Sequence, residues 1–171
     1  GNGFSMTSSI EMAFGSTLMV RGFLLNNQLT DFSFSDKKNG ENVANRVQPG
    51  KRPRSSMSPF MVFDEKDNLV MLIGSPGGSR IINYVAKTML GVLEWEMDIQ
   101  SAISLPHFVN RNGGTDLEDG TDAAELKEGL EALGHKVSVR DLNSGLHGIV
   151  ITPEGLEGGA DPRRVGRVLG E

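Results

Sequence analysis

A chain of 171 residues with a net charge of −5, 37% hydrophobic and 23% charged, has apolar material for a single cored domain and too little for two ordinary ones. The acidic balance excludes the clustered basic surface that nucleic acid or an acidic membrane rewards, so a small molecule or a protein is the expected partner. The absence of cysteine removes disulfides, thiolate metal sites and cysteine nucleophiles together, and no run approaches the roughly 18 apolar residues of a membrane span.

The chain opens Gly1-Asn2-Gly3-Phe4 without methionine or a basic leader, straight into strand-like sequence, as a processed or truncated product would. Residues 3–9 alternate loosely and predict a strand with a hydroxyl face. Thr17–Val20 and Gly22–Leu25 are two further apolar pieces, and they run into Asn26-Asn27-Gln28. Amides at such a strand end either tie down turn backbone or contact a ligand. From Phe34 to Arg54 no apolar period survives, which predicts a long loop: a lid over a pocket or a surface insertion.

Phe60–Phe63 and Leu69–Ile73 predict a hairpin of two central strands. The second strand ends at Gly74-Ser75-Pro76-Gly77-Gly78-Ser79, and Ile82, Val85, Met89 and Leu93 then recur at helical spacing, with Ser79 placed to cap. A short helix is expected over Asp98–Ser104, stopped by Pro106, and His107-Phe108-Val109 extends beyond it. After a polar connection, Asp122-Ala123-Ala124-Glu125 has capping-box spacing, with Leu126, Leu130 and Leu133 on one helix face until Gly134. Strands are expected at Val137–Val139 and Gly148–Thr152, then a tail from Gly158. The order is that of an α+β layered domain. Three helices are too few to cover residues 3–25 and 60–73 on both faces, so a companion chain is expected.

Three groups carry possible chemistry. Gly77 and Gly78 lie where a strand feeds a helix, so their amides could form an oxyanion hole; a tight turn is the structural alternative. Ser55 and Ser56 precede a strand and can both donate to a carboxylate, or simply shape the turn. Glu11, Gln28 and Asp31 are the acceptors that a ligand ammonium needs, or else solvated surface groups.

The linear order of Leu25–Ser33, then Pro49–Pro59 and Gly74–Arg80, with Phe14-Gly15 upstream and Gly159-Ala160-Asp161-Pro162-Arg163 near the end, resembles the small catalytic subunit of the γ-glutamyltransferases over nearly the whole chain. The resemblance implies an N-terminal-nucleophile hydrolase fold, an αββα sheet sandwich completed by a large subunit of the same proenzyme and by a first strand. It implies autoprocessing that frees a threonine, which attacks γ-glutamyl amides such as glutathione and passes the acyl group to water or an amine, without metal or cofactor. It assigns Glu11, Gln28 and Asp31 to the substrate α-amino group, Ser55 and Ser56 to its α-carboxylate, and Gly77 and Gly78 to the oxyanion hole. Ser9 falls where a second threonine ordinarily supports the nucleophile.

The family's nucleophile stands about ten residues before the pair matched by Gly1-Asn2, and neither Gly1 nor the internal Thr7 can replace it. The chain alone is therefore expected to be inactive and to self-associate through uncovered apolar surface. If the source is bacterial, the resemblance implies a periplasmic or extracellular parent. A glutaryl amidase like the cephalosporin acylases, and a non-catalytic binding or assembly module, are the competing readings. A glutaryl substrate lacks the α-amino group for which Glu11, Gln28 and Asp31 are suited.

Overall fold

The computed structural model describes residues 1–170, which group into two units: residues 8–55, and residues 1–7 with the chain from 56 onward. The smaller unit is built from turns. Two tiny antiparallel hairpins, β1 (Met19–Val20) with β2 (Phe23–Leu24) and β3 (Lys37–Lys38) with β4 (Glu41–Asn42), flank a 3₁₀ turn at Gln28–Asp31. The expected long loop thus carries a hairpin, and the Asn45 amide hooks it back by donating to the Asp31 carbonyl at 2.7 Å. Residues 3–9 form no strand; Phe4 and Met6 are exposed, and the segment meets β6 by the Ser5 hydroxyl, which donates to the Ile73 carbonyl at 3.3 Å, rather than by a backbone ladder.

The larger unit centres on an antiparallel sheet in the order β11 (Gly155–Ala160), β10 (His147–Thr152), β6 (Leu69–Gly74), β5 (Phe60–Phe63). The expected hairpin is present, with one correction: β6 is central but β5 is an edge strand, and Phe60 and Phe63 are exposed. β11 occupies what reads in sequence as tail. Met71 and Ile73 of β6 pack on Ile81, Tyr84 and Val85 of α1 (Ile81–Leu93) and on Ile99 and Ile103 of α2 (Ile99–Ser104), forming the main core. Asp98 caps α2 by accepting from Ser101 N at 2.9 Å, and Leu105 turns extended ahead of Pro106, as expected of a residue before proline.

A second sheet joins β7 (Phe108–Asn110), β8 (Thr115–Glu118) and β9 (Val137–Arg140), with β8 and β9 parallel. All of β8 is buried although it reads Thr-Asp-Leu-Glu. Its charges are affordable because each meets arginine: Asp116 pairs with Arg80 at 3.2 Å and has Arg140 and Arg111 at 3.8 and 3.9 Å. Glu118 receives two nitrogens of Arg163. The expected capping box does not close; the chain passes from a 3₁₀ turn at Asp122–Leu126 into a short α3 (Lys127–Ala132), with Leu126 and Leu133 exposed.

Arg163 is the structural centre of this unit. It also reaches Asp161 at 3.2 Å and the carbonyls of Ile103 and Leu105 at 3.2 and 2.9 Å, so one guanidinium joins β8, the end of α2 and the segment after β11. Beside it Lys87 donates to the Leu105 carbonyl at 2.5 Å. Burial, assisted by Arg163, lowers the Lys87 pKa to about 8 against the opposing pull of Glu118 and Asp161. Among the described residues no helix is long and apolar enough to cross a membrane.

Replacing Arg163 with Met strips two buried carboxylates of their cation and should cost about 3–5 kcal/mol in urea unfolding of the complete protein. Burial, and then the charges of Lys87 and Arg163, lower the His107 pKa to about 3, while Asp161 opposes them. The folded state is thus short of a proton relative to the unfolded chain between that pH and about 6.5, so stability falls as pH drops through the window. The advantage of wild type over His107→Gln should shrink from pH 7 to 4. A constant difference would mean that His107 is not held neutral.

Candidate functional site

The three expected ammonium acceptors all lie in the smaller unit, gathered around Asn27. The Asn27 amide nitrogen donates to Glu11 Oε2 and to Thr30 Oγ1, its oxygen accepts from Met12 N at 3.0 Å, and its own N–H reaches the Ile10 carbonyl. Asn27 thereby ties the Glu11 segment to the turn that carries Gln28 and Asp31. Gln28 Nε2 donates to Asp31 Oδ2 at 2.5 Å, orienting both, while Asn26 Oδ1 accepts from Gln28 N. Both asparagines thus tie down turn backbone, the first of the two roles open to them in sequence.

Glu11 has φ 72°, a left-handed conformation uncommon outside glycine. It is held there by the Ser9 hydroxyl, which accepts from Glu11 N at 2.8 Å. Such backbone is retained only where the surroundings over-determine it. Neither Glu11 nor Asp31 forms an ion pair with Lys or Arg among the described residues. The cluster is therefore two half-buried carboxylates flanked by amides and hydroxyls, electrostatically suited to a cation.

Ser55 is exposed and closes the smaller unit, whereas Ser56 is half-buried and opens the larger one. The Ser56 carbonyl accepts from Ser58 Oγ at 3.0 Å, shaping the approach to β5.

Gly77 and Gly78 sit in the larger unit, between β6 and α1. They have φ 140° and φ 60°, and a 3₁₀ turn, Gly78–Arg80, leads into the helix. The turn replaces the expected Ser79 cap, and Ser79 Oγ instead accepts from Arg111 at 2.5 Å. Both glycines are needed, for different reasons. A Cβ on Gly77 would stand 2.8 Å from the ring of Tyr84, whereas one on Gly78 would meet open space and suffer only from its left-handed φ. Among the described residues neither amide donates to a backbone carbonyl, so both remain available at the positive end of a 13-residue helix.

Sequence reasoning missed a buried trio of hydrolase residue types: His107, Ser144 and Asp161, at 0, 0 and 2% exposure. The Ser144 hydroxyl donates to Asp161 Oδ2, and His107 Nε2 lies 2.6 Å from Ser144 Oγ, so the ring carries its proton there and Nδ1 is left without a partner. A nucleophilic serine must donate to histidine, and here it donates to aspartate instead; the trio is a structural network. Only the Asp161-Pro162-Arg163 segment signalled it in sequence.

Comparison with known proteins places these features in a family. The gamma-glutamyltranspeptidase family model matches residues 1–171. The chain is 39% identical to the glutathione hydrolase proenzyme of Bacillus subtilis over 176 residues, covering 99% of the chain and 29% of that protein. It is 37% identical to the proenzyme of the same name from Escherichia coli over 178 residues, covering 96% and 30%. It thus spans under a third of the length of these curated relatives. A gamma-glutamyltranspeptidase mutant from Helicobacter pylori superposes with a TM-score of 0.85 at 32% identity, over 96% of this chain and 95% of that one. The expected α+β, N-terminal-nucleophile hydrolase class is the fold of these enzymes.

The two glycines should separate on substitution. Gly78→Ala should cost about 1–2 kcal/mol in urea unfolding, for its left-handed backbone alone, and Gly77→Ala about 1–3 kcal/mol more for its clash with Tyr84. Equal costs would show that the Tyr84 contact does not constrain the turn.

Proposed function

The chain belongs to the gamma-glutamyltranspeptidase family, and on that premise we propose that it supplies the substrate-recognising part of an acyl-transfer site specific for γ-glutamyl amides such as glutathione. The supporting observation is the cation-seeking cluster at Glu11, Gln28 and Asp31: two carboxylates without a basic partner among the described residues, one of them on strained backbone. An α-ammonium group would neutralise them, with Gln28 as a further acceptor.

In this reading Ser55 and Ser56 donate to the substrate α-carboxylate. The attacked carbonyl develops negative charge on oxygen in the tetrahedral intermediate, and the amides of Gly77 and Gly78 receive it at the head of α1. The attacking group is an N-terminal threonine, whose free amine takes the hydroxyl proton as the acyl bond forms and returns it to the leaving amine. These 171 residues do not contain that group; Ser9 serves it indirectly, by holding the backbone of Glu11. Water or an amine then resolves the acyl-enzyme. A companion large subunit covers the exposed apolar side chains, among them Phe14, Phe23 and Phe34, and the chain alone is inert and self-associates through them. Residues 34–54 act as a lid over the bound substrate.

The complete protein, with its companion subunit, should turn over a γ-glutamyl anilide and prefer it to the glutaryl anilide by at least about tenfold in kcat/KM, since the latter leaves both carboxylates unpaired. Asp31→Asn should narrow that preference by raising KM for the γ-glutamyl substrate alone. Preference for glutaryl, or turnover by the 171-residue chain alone, would overturn the proposal.

A further inference from the structure

The loop that carries Gly77 and Gly78 is held from two directions, and both lead to one buried hydroxyl. From beneath, the fully buried Tyr84 fills the space that a Cβ on Gly77 would need, and its ring packs on that of His107 with centroids 4.2 Å apart. His107 is fixed in turn by Ser144, and Ser144 by Asp161. From the side, Gly145 N donates to Ser75 Oγ at 3.3 Å, and the same hydroxyl donates to the Pro76 carbonyl at 2.6 Å. The fit is close enough that a Cβ on Gly145 would stand 2.7 Å from the Pro76 ring. Asp161 completes the clamp: its Oδ2 accepts from Leu146 N at 2.9 Å, and its own amide donates to the Leu146 carbonyl at 2.8 Å, locking residues 144–146.

Tyr84, His107, Ser144, Asp161 and Ser75 are buried away from any substrate, yet they fix the peptide planes that present two amides. Donors to an oxyanion act only when pre-set within a few tenths of an ångström of where charge develops. We infer that Tyr84, His107 and Ser144 are positioning residues for the Gly77 and Gly78 amides, Ser144 joining the support beneath the loop to the clamp beside it. The inference rests on the proposed oxyanion role of those amides. It assigns the trio to rate rather than to substrate affinity, because the groups proposed to bind the amino acid end of the substrate lie elsewhere in the chain.

The test uses the complete protein on a γ-glutamyl anilide, with kcat expressed per active site titrated by a covalent γ-glutamyl inhibitor so that misfolded material is not counted. Ser144→Ala should lower kcat about tenfold or more with KM within about twofold, and Ser144→Thr, which keeps the hydroxyl, should recover most of the loss. Tyr84→Phe should resemble wild type, and Tyr84→Leu should resemble Ser144→Ala. If Ser144→Ala does not fold, Ser144→Cys carries the same test. In parallel, amide hydrogen exchange at residues 75–78 should quicken in Ser144→Ala relative to the strands of the main sheet. An unchanged kcat per site, or a rise in KM alone, overturns the inference. If wild type turns over no γ-glutamyl amide, the functional reading fails, and hydrogen exchange alone decides whether the brace exists: unaltered exchange at 75–78 overturns it.

Discussion

A single, largely covered guanidinium organises the larger unit. Arg163 has two carboxylates and two carbonyls to satisfy, and its partners come from α2, β8 and the turn after β11, elements far apart in sequence. Desolvating such a charge is costly unless every lone pair facing it is used, so the arrangement leaves little freedom. Lys87, pressed into the same region and donating to the Leu105 carbonyl, adds a second cation that the network must balance. Glu118 and Asp161 supply the counter-charge, and Asp161 carries the constraint onward through Ser144 to His107.

That constraint builds a rigid floor under a glycine turn. Tyr84 stacks on His107 and occupies the space that any side chain at position 77 would need, so Gly77 is dictated by packing as well as by backbone conformation. Gly78 is required by conformation alone. A turn held in this way keeps two amides at a helix N-terminus without reorganisation, as their proposed oxyanion role requires. The smaller unit solves a different problem by different means. Its turns are pinned by side-chain amides rather than by a core, and the result is a cluster of acceptors for a cation.

Much of this was legible in the residues. The strand-to-helix passage at 69–93, the stop at Pro106 and the strands at 137–139 and 148–152 arise from periodicity and turn chemistry, which are local signals. Failures occurred where long-range pairing overrides local pattern. Thr115–Glu118 reads as polar connection because a short run with one apolar residue between two acids ordinarily faces solvent; it is buried only because Arg80, Arg140 and Arg163 arrive from elsewhere. Ser79 lost its cap to a glycine turn, and the box at Asp122–Glu125 gave way to a 3₁₀ start. At the candidate site, residue types were legible and their supports were not. Glu11 reads as an acid, but neither its left-handed backbone nor the hydroxyl of Ser9 beneath it can be inferred from spacing. The order of hydrogen bonds through Ser144, which separates a brace from a catalytic triad, likewise exists only in three dimensions.

The most direct measurement is a crystal structure of the complete protein with glutamate bound. The ammonium should lie within hydrogen-bonding distance of Glu11, Gln28 and Asp31, the α-carboxylate on the hydroxyls of Ser55 and Ser56, and a γ-carboxylate oxygen on the amides of Gly77 and Gly78. Glutamate bound with its amino group away from Glu11 and Asp31, or with no oxygen at the glycine amides, would contradict that assignment.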